Sequence, residues 1–264
     1  MGQRWGELFK TKCIFVKNPA MALLKHLPNT ITCLNLFCGC LAVLSAFRGH
    51  LDIAAWLILA AGVFDFLDGM AARLFKAYSE LGKQLDSLAD VVSFGVAPSA
   101  ILFALAENSL IAQYPDFAWE SAPATQKILL FAVFSVAVFS ALRLAKFNID
   151  TRQSTSFLGL PTPANAFFLL SLVFWVQPET GTIPGISAWI YPATALLFSA
   201  LLVSEIPMFA LKVKSLAWRE NRVRYLFLGL SLLLALFFGM RSLTLIIPLY
   251  ILLSIASSFK KLPK

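Results

Sequence analysis

Asp65-x2-Asp68-Gly69-x2-Ala72-Arg73-x8-Gly82-x3-Asp86-x3-Asp90 is the stretch that decides the fold and chemistry of this chain, because it places four carboxylates between two apolar segments. Carboxylates are costly inside a bilayer and persist mainly where they pair, bind ions or line a polar cavity. On a helix, Asp65, Asp68 and Ala72 share one face. Gly82, Asp86 and Asp90 recur at intervals of four residues and form a second helical stripe.

Two facing carboxylate stripes repel each other unless cations lie between them. A ligand set made only of oxygen atoms favours hard divalent ions. The pattern therefore predicts a metal site of Asp65, Asp68, Asp86 and Asp90 that binds magnesium or manganese, with calcium as a further candidate.

The composition is that of a membrane protein. Hydrophobic residues make up 59% of the 264 residues, charged residues make up 14%, and the mean hydropathy is +0.77. A soluble domain of this composition would expose too much apolar surface. Windows of about 20 apolar residues, the length that a bilayer requires, predict eight spans at about 28–47, 51–74, 84–106, 127–147, 161–177, 187–206, 222–239 and 242–258. The predicted fold class is all-α, a polytopic transmembrane helical bundle.

The loop charges predict the orientation. With the N-terminus inside, all of the 22 Lys and Arg residues except Arg48, Lys127 and Arg241 fall in inward segments. The positive-inside rule then predicts that both termini and the aspartates lie at the cytoplasmic side of the cell membrane. The same topology, together with anionic lipid, accounts for the net charge of +8, so no nucleic-acid partner is expected. Residues 1–26 read as a basic amphipathic helix on the membrane surface, with a disordered basic tail as the alternative.

The fixed positions from Asp68 to Asp90 match the signature of the CDP-alcohol phosphotransferases, with Asp65 as their usual additional aspartate. The chain therefore resembles these integral membrane enzymes, which move a phosphatidyl-type group from a CDP-linked donor to an alcohol. Within the family it resembles the phosphatidylserine synthases of the bacterial and archaeal membrane type, through residues 28–32, 87–98, 143–148 and 157–165. Lys146 departs from that branch, in which arginine is more common.

The resemblance implies two bound metal ions, a homodimer, and the substrates CDP-diacylglycerol and L-serine. It implies a division into the juxtamembrane segment 1–26, a catalytic membrane core at 27–206, and a segment at 207–264 with a basic loop, two added helices and a basic tail. Asp90 resembles the proposed general base, and a carboxylate in that role would take the proton of the weakly nucleophilic serine hydroxyl.

The remaining predicted site residues are expected to contact either the donor substrate or the acceptor substrate. Residues expected to contact CDP-diacylglycerol are Asn29, Thr32, Gly69, Ala72, Arg73, Ser79 and Gly82. Small residues in this set would let the nucleotide approach the backbone, although helix packing explains small residues too. Arg73 would pair with donor phosphate, and Asn29, Thr32 and Ser79 would donate neutral hydrogen bonds or cap helices.

The candidates for the serine carboxylate or a lipid phosphate are Arg143, Lys146 and Asn148, at the inner end of the fourth span. Ordinary anchoring by positive charges is an equal alternative for them. Another acceptor, such as glycerol phosphate or inositol phosphate, is the nearest alternative function. An ion-coupled transporter is a more distant one, because the chain lacks the repeated halves typical of that class.

Overall fold

Apolar sequence in the computed structural model is helical almost throughout, and the structure describes residues 26–150, 157–209 and 218–259. A backbone surrounded by lipid must satisfy its own hydrogen bonds, and a helix does so within one segment. The helices in chain order are α1 Leu27–Phe47, α2 Leu51–Leu74, α3 Glu80–Asp90, α4 Ala97–Gln113, α5 Ala124–Ala132, α6 Ser135–Ile149, α7 Thr162–Ser171, α8 Ile190–Val203, α9 Trp218–Phe238 and α10 Leu243–Phe259.

Each of the eight predicted spans corresponds to helical structure, which confirms the all-α polytopic fold. Among the described residues, five helical stretches are long and apolar enough to cross a membrane, namely Leu27–Phe47, Leu51–Leu74, Glu80–Gln113, Ala124–Ile149 and Asn221–Ser257. The last stretch covers the seventh and eighth predicted spans, which a short 3-10 segment at Gly239–Ser242 separates. Two shorter apolar helices lie at Thr162–Trp175 and Ile190–Val203. The predicted amphipathic helix at 1–26 falls almost wholly outside the described residues.

The third span differs from its prediction in length and shape. It begins at Glu80 and continues to Gln113, because α3 passes into α4 through a π-helical segment at Val91–Val96. This segment, which follows Asp90 directly, packs closely against α1 and α6. A Cβ atom added to Gly39 of α1 would lie 2.9 Å from Cα of Ser93, and one added to Gly95 would lie 3.3 Å from Cα of Ala137. The glycines therefore permit backbone approaches that fix the position of Asp90.

The core begins with the antiparallel pair α1 and α2, which a turn at Arg48–His50 joins. Gly49 occupies the left-handed region in this turn, with φ of +81°. Five alanines of the core cluster lie on these helices and allow close packing, and they are Ala42, Ala46, Ala54, Ala55 and Ala61. α4, the start of α5–α6, α7 and α8 complete the same core.

A short two-stranded sheet fixes the start of α7. Strand β1 (Phe157–Leu158) pairs antiparallel with β2 (Pro207–Met208), with Leu158 opposite Pro207. Gly159 follows with φ of +76°, and its amide donates to the carbonyl of Ile206. A side chain at Gly159 would meet the carbonyl of Ser204 at 2.9 Å. These backbone contacts hold the loop that leads into α7.

The last two helices dock on this frame through a second apolar cluster, composed of Leu160, Phe198, Met208, Phe227, Ile247, Tyr250 and Ile251. Thr244 of α10 adds polar contacts to the far end of α7, because its hydroxyl lies 2.7 Å from that of Ser171 and accepts from Nε1 of Trp175. Arg241 donates to the carbonyl of Phe174 and lies over the Trp175 ring.

Candidate active site

Three carboxylates from two helices meet where α2 and α3 face each other. One oxygen from each of Asp65, Asp68 and Asp86 lies within 4.8 Å of the others. Asp68 is buried and the other two are half-buried. Oxygen atoms of like charge at this separation repel strongly in a poorly hydrated site. This cluster confirms that the predicted stripes face each other.

The donor set fits a hard divalent cation. It consists of carboxylate oxygens alone, which is the chemistry that magnesium and manganese prefer. Oδ1 of Asp86 is buried and has no hydrogen-bond partner among the described residues. A buried charged oxygen without a partner is costly, so a cation at this position would compensate it.

Thr32 of α1 supports the cluster from a third helix. Its hydroxyl donates to Oδ2 of Asp68 at 2.6 Å and also lies 3.0 Å from the carbonyl of Pro28. Pro28 occupies the first turn of α1, where its fixed φ favours helix initiation. The sequence predicts a nucleotide contact for Thr32, which stays a prediction, and the structure adds a hydrogen bond from its hydroxyl to a carboxylate.

Asp90 lies one turn beyond Asp86 on α3 and is 7% exposed. Its charge interacts with those of Asp65 and Asp86. Nδ2 of Asn35 on α1 donates to its Oδ1 at 3.3 Å, and Ser93 in turn donates to the carbonyl of Asn35. Asn35 was not among the predicted site residues, although an asparagine within an apolar span is itself a signal of a polar interior.

A cavity of about 610 Å³ opens beside the three carboxylates. Eight of the predicted site residues line it, namely Asn29, Thr32, Asp68, Gly69, Ala72, Ser79, Gly82 and Asp86. The segment between α2 and α3 contributes Ala77 and Tyr78, which the sequence did not single out. Arg73 does not belong to this lining and is exposed at the end of α2, so its phosphate contact stays a prediction.

The two glycine positions of the motif differ in what a side chain there would meet. A Cβ atom added to Gly69 would meet no protein atom within 4 Å, so contact with another helix does not explain this glycine. A Cβ atom added to Gly82 would lie 2.9 Å from Oδ1 of Asn29 and 3.1 Å from Oγ of Ser79. Ser79 caps α3, because its hydroxyl accepts from the amide of Gly82 at 3.0 Å. Gly82 is therefore required by local packing, whereas Gly69 leaves space in the cavity.

The predicted acceptor residues on α6 are not brought together. Arg143 is buried, and its Nη1 donates to Oγ1 of Thr162 at 2.7 Å. Lys146 lies 3.8 Å from Glu205 in a largely exposed ion pair. Asn148 donates to the hydroxyl of Ser87, and its carbonyl accepts from Lys83, so it ties α6 to α3. Of the three, Arg143 reaches the interior, and its charge interacts with that of Asp90.

Comparison with known proteins gives a consistent result. Residues 25–219 match the CDP-alcohol phosphatidyltransferase family. The chain is similar to the CDP-diacylglycerol–serine O-phosphatidyltransferase of Bacillus subtilis, with 34% identity over 59% of this chain and 79% of the relative. The enzyme of the same name from Helicobacter pylori is 32% identical over 68% of this chain and 70% of the relative. The one from Saccharomyces cerevisiae is 33% identical over 58% and 55%, respectively. These matches and the clustered aspartates confirm the resemblance in the sequence, and the chain belongs to the CDP-alcohol phosphatidyltransferase family.

Proposed function

We propose that this protein is a membrane phosphatidyltransferase that makes phosphatidylserine and CMP from CDP-diacylglycerol and L-serine. The observation that carries the proposal is the group of three carboxylates beside the 610 Å³ cavity lined by the family motif. The relatives from Bacillus subtilis, Helicobacter pylori and yeast, all of which carry the serine transferase name, support serine as the acceptor.

The cavity is proposed to hold the CDP group of the donor while the acyl chains stay in the lipid. Gly69 and Ala72 would allow the nucleotide to lie against α2, and Asn29 and Ser79 would offer polar atoms at its edge. Asp65, Asp68, Asp86 and Asp90 would hold the divalent ions, two of them by the family resemblance. Such ions, when bound, neutralise the pyrophosphate and stabilise the leaving phosphate.

Asp90 is proposed as the general base. The serine hydroxyl attacks the phosphorus that carries the lipid, and the carboxylate of Asp90 takes the hydroxyl proton as the new P–O bond forms. The pyrophosphate P–O bond then breaks and CMP leaves, without a covalent enzyme intermediate. The hydrogen bond from Asn35 supports this role, because it restricts the rotation of the carboxylate.

The site is proposed to face the cytoplasm, as the distribution of Lys and Arg predicts. The homodimer, the three-part division of the chain and the acceptor roles of Lys146 and Asn148 stay predictions.

The reaction is tested with purified protein in detergent, labelled CDP-diacylglycerol and magnesium or manganese. We expect release of CMP and formation of phosphatidylserine only when L-serine is added, and loss of both on chelation. Glycerol phosphate and inositol phosphate are supplied in parallel reactions. Transfer to one of these and not to serine would refute the proposed acceptor while leaving the reaction class intact.

Gly69→Leu is expected to raise the KM for CDP-diacylglycerol at least about tenfold, equivalent to 1.4 kcal/mol of binding. The added side chain would fill the cavity, and it would meet no protein atom near its Cβ. The thermal stability should be unchanged or higher, because leucine favours helix more than glycine does. Gly229→Leu on the exposed face of α9, where a Cβ atom also meets nothing within 4 Å, is the matched control. An unchanged donor KM in the Gly69 variant would contradict the placement of the nucleotide.

Arg143→Ala is expected to raise the KM for L-serine at least about tenfold while divalent metal binding survives. The guanidinium is buried and its charge interacts with that of Asp90, so it is a cation that a carboxylate bound near Asp90 could use. Arg143→Lys should recover part of the loss, because it restores the charge without the planar fork. Arg241→Ala is the control, because the Arg241 side chain donates to the carbonyl of Phe174, just beyond the other end of α7. A serine KM and rate equal to those of the wild type would show that Arg143 only anchors the helix end.

A further inference from the structure

Asn165 has a fully buried amide side chain whose polar atoms are unsatisfied among the described residues. Its exposed fraction is 0%, and neither Oδ1 nor Nδ2 has a hydrogen-bond partner among the described residues. An unsatisfied buried polar atom costs about 1–3 kcal/mol, and here one side chain contributes two. Most buried polar groups in proteins have a partner, so such a pair indicates a site that a polar ligand completes.

Asn165 lies on a constrained stretch of backbone. It lies in the first turn of α7, which Pro161 and Pro163 flank and initiate. The preceding loop is tied by the amide of Leu160, which donates to the carbonyl of Leu201. The position of Asn165 is therefore set by a constrained backbone.

A second orphaned polar atom lies close by in the same network. Thr162 precedes Asn165 by three residues and thus shares its helical face. The Thr162 hydroxyl accepts from Nη1 of Arg143 at 2.7 Å, whereas Nε of Arg143 is buried without a partner among the described residues. The cluster therefore offers an acceptor at Asn165 Oδ1, a neutral donor at Asn165 Nδ2 and a charged donor at Arg143.

The cluster is also near the proposed base. The charge of Asp90 interacts with that of Arg143, and the π-helical segment after Asp90 packs against α1, α6 and α7. A small acceptor bound to Arg143 and Asn165 could thus present a hydroxyl toward Asp90.

We propose that Asn165, Thr162 and Arg143 form the pocket that recognises the zwitterionic group of an α-amino acid, an inference that rests on the proposed transferase function. Oδ1 of Asn165 accepts from the ammonium group, while Nδ2 and the Arg143 guanidinium donate to the carboxylate. Asn165 is then a specificity-determining residue that reads both charges of serine. One cation suits a carboxylate of charge −1, whereas a phosphorylated alcohol would require more positive charge. Lys146, the nearest predicted alternative, pairs with Glu205.

The test compares three acceptors that share a primary hydroxyl. L-serine has both charges, ethanolamine lacks the carboxylate and 3-hydroxypropionate lacks the ammonium group. We expect the wild type to prefer serine strongly. Asn165→Leu should raise the serine KM at least tenfold, reduce its preference over both analogues, and leave the KM for CDP-diacylglycerol within about twofold.

Asn165→Asp keeps the volume of the side chain and provides a second, independent readout. The new carboxylate should repel that of serine but attract an ammonium group, so the ratio of kcat/KM for ethanolamine to that for serine should rise at least tenfold. Asn108→Leu is the matched control, since Asn108 is half-buried and donates to the carbonyl of Gly181 in a region remote from the aspartates. The thermal stability of each variant with CDP-diacylglycerol verifies its folding.

Different outcomes would overturn the role of Asn165 and the proposed acceptor. Serine transfer by the wild type, with the serine KM unchanged in Asn165→Leu or the acceptor ratio unchanged in Asn165→Asp, would overturn the role of Asn165 alone. Absence of serine transfer by the wild type, with transfer to another alcohol, would overturn the proposed acceptor and this pocket together. A rise in serine KM with a shift toward ethanolamine supports both.

Discussion

Asp90→Asn is expected to lower kcat by about 10²- to 10⁴-fold, the usual contribution of a positioned general base. The amide cannot take a proton from the serine hydroxyl. Its oxygen can still accept the hydrogen bond that Asn35 now donates to Asp90, so the local structure should survive. Initial rates at saturating CDP-diacylglycerol and serine measure the effect.

The control for this experiment is Asp52→Asn. Asp52 is exposed in the first turn of α2, at the opposite end of that helix from the carboxylate cluster, and the change should leave kcat within about twofold. A covalent phosphatidyl-enzyme trapped from the donor alone would contradict direct attack by the hydroxyl. Near-normal turnover in Asp90→Asn would remove Asp90 from the proposed mechanism.

Asp86→Asn is expected to have an effect of similar size on the affinity of the protein for divalent metal. The substitution removes one of three carboxylates whose oxygens lie within 4.8 Å. Loss of an outer partner of a metal site typically costs 10–100-fold in metal affinity, so loss of a direct ligand should exceed 100-fold. Calorimetric titration with manganese measures this loss without reference to turnover.

Asp86→Asn should weaken metal binding but raise the thermal stability of the protein without metal. Like charges about 4 Å apart interact with roughly 4 kcal/mol near a protein surface, and the substitution relieves part of this repulsion. We therefore expect Asp86→Asn to raise the Tm after chelation and to abolish the rise in Tm that manganese gives the wild type. Asp116→Asn, which changes an exposed residue beyond α4, should alter neither value. Manganese binding equal to that of the wild type would refute the assignment of Asp86 as a ligand.

Helix periodicity predicted much of the candidate site. The intervals among Asp65, Asp68, Asp86 and Asp90 placed the carboxylates on defined helical faces, and a helix offers little freedom to rearrange them. Gly69 and Ala72 belong to the same frame and line the cavity, as their small size suggested. Arg73 lies on α2 too, but a long side chain at a helix end can turn away from a cavity, and periodicity does not fix that choice.

Helix periodicity could not predict contacts between segments that are far apart in sequence. Asn35 reaches Asp90 across 55 residues of sequence, and Thr32 reaches Asp68 across 36. Arg143 and Lys146 both looked like acceptor contacts, yet one is buried against Thr162 and the other pairs with Glu205 at the surface. Residues three apart share a helical face, so periodicity does not distinguish the two, and the packing of each turn of α6 against its neighbours decides which side chain is buried.

The sequence by itself determined that this chain is a bundle of membrane helices with a carboxylate site, because long apolar runs in lipid have only the helix to satisfy their backbone. It also determined which residue types could hold a cation, since the charge and spacing of the aspartates are local properties. Only the tertiary structure decided which polar side chains meet. The pairing of Asn35 with Asp90 and that of Arg143 with Thr162 both depend on how helices far apart in sequence pack together.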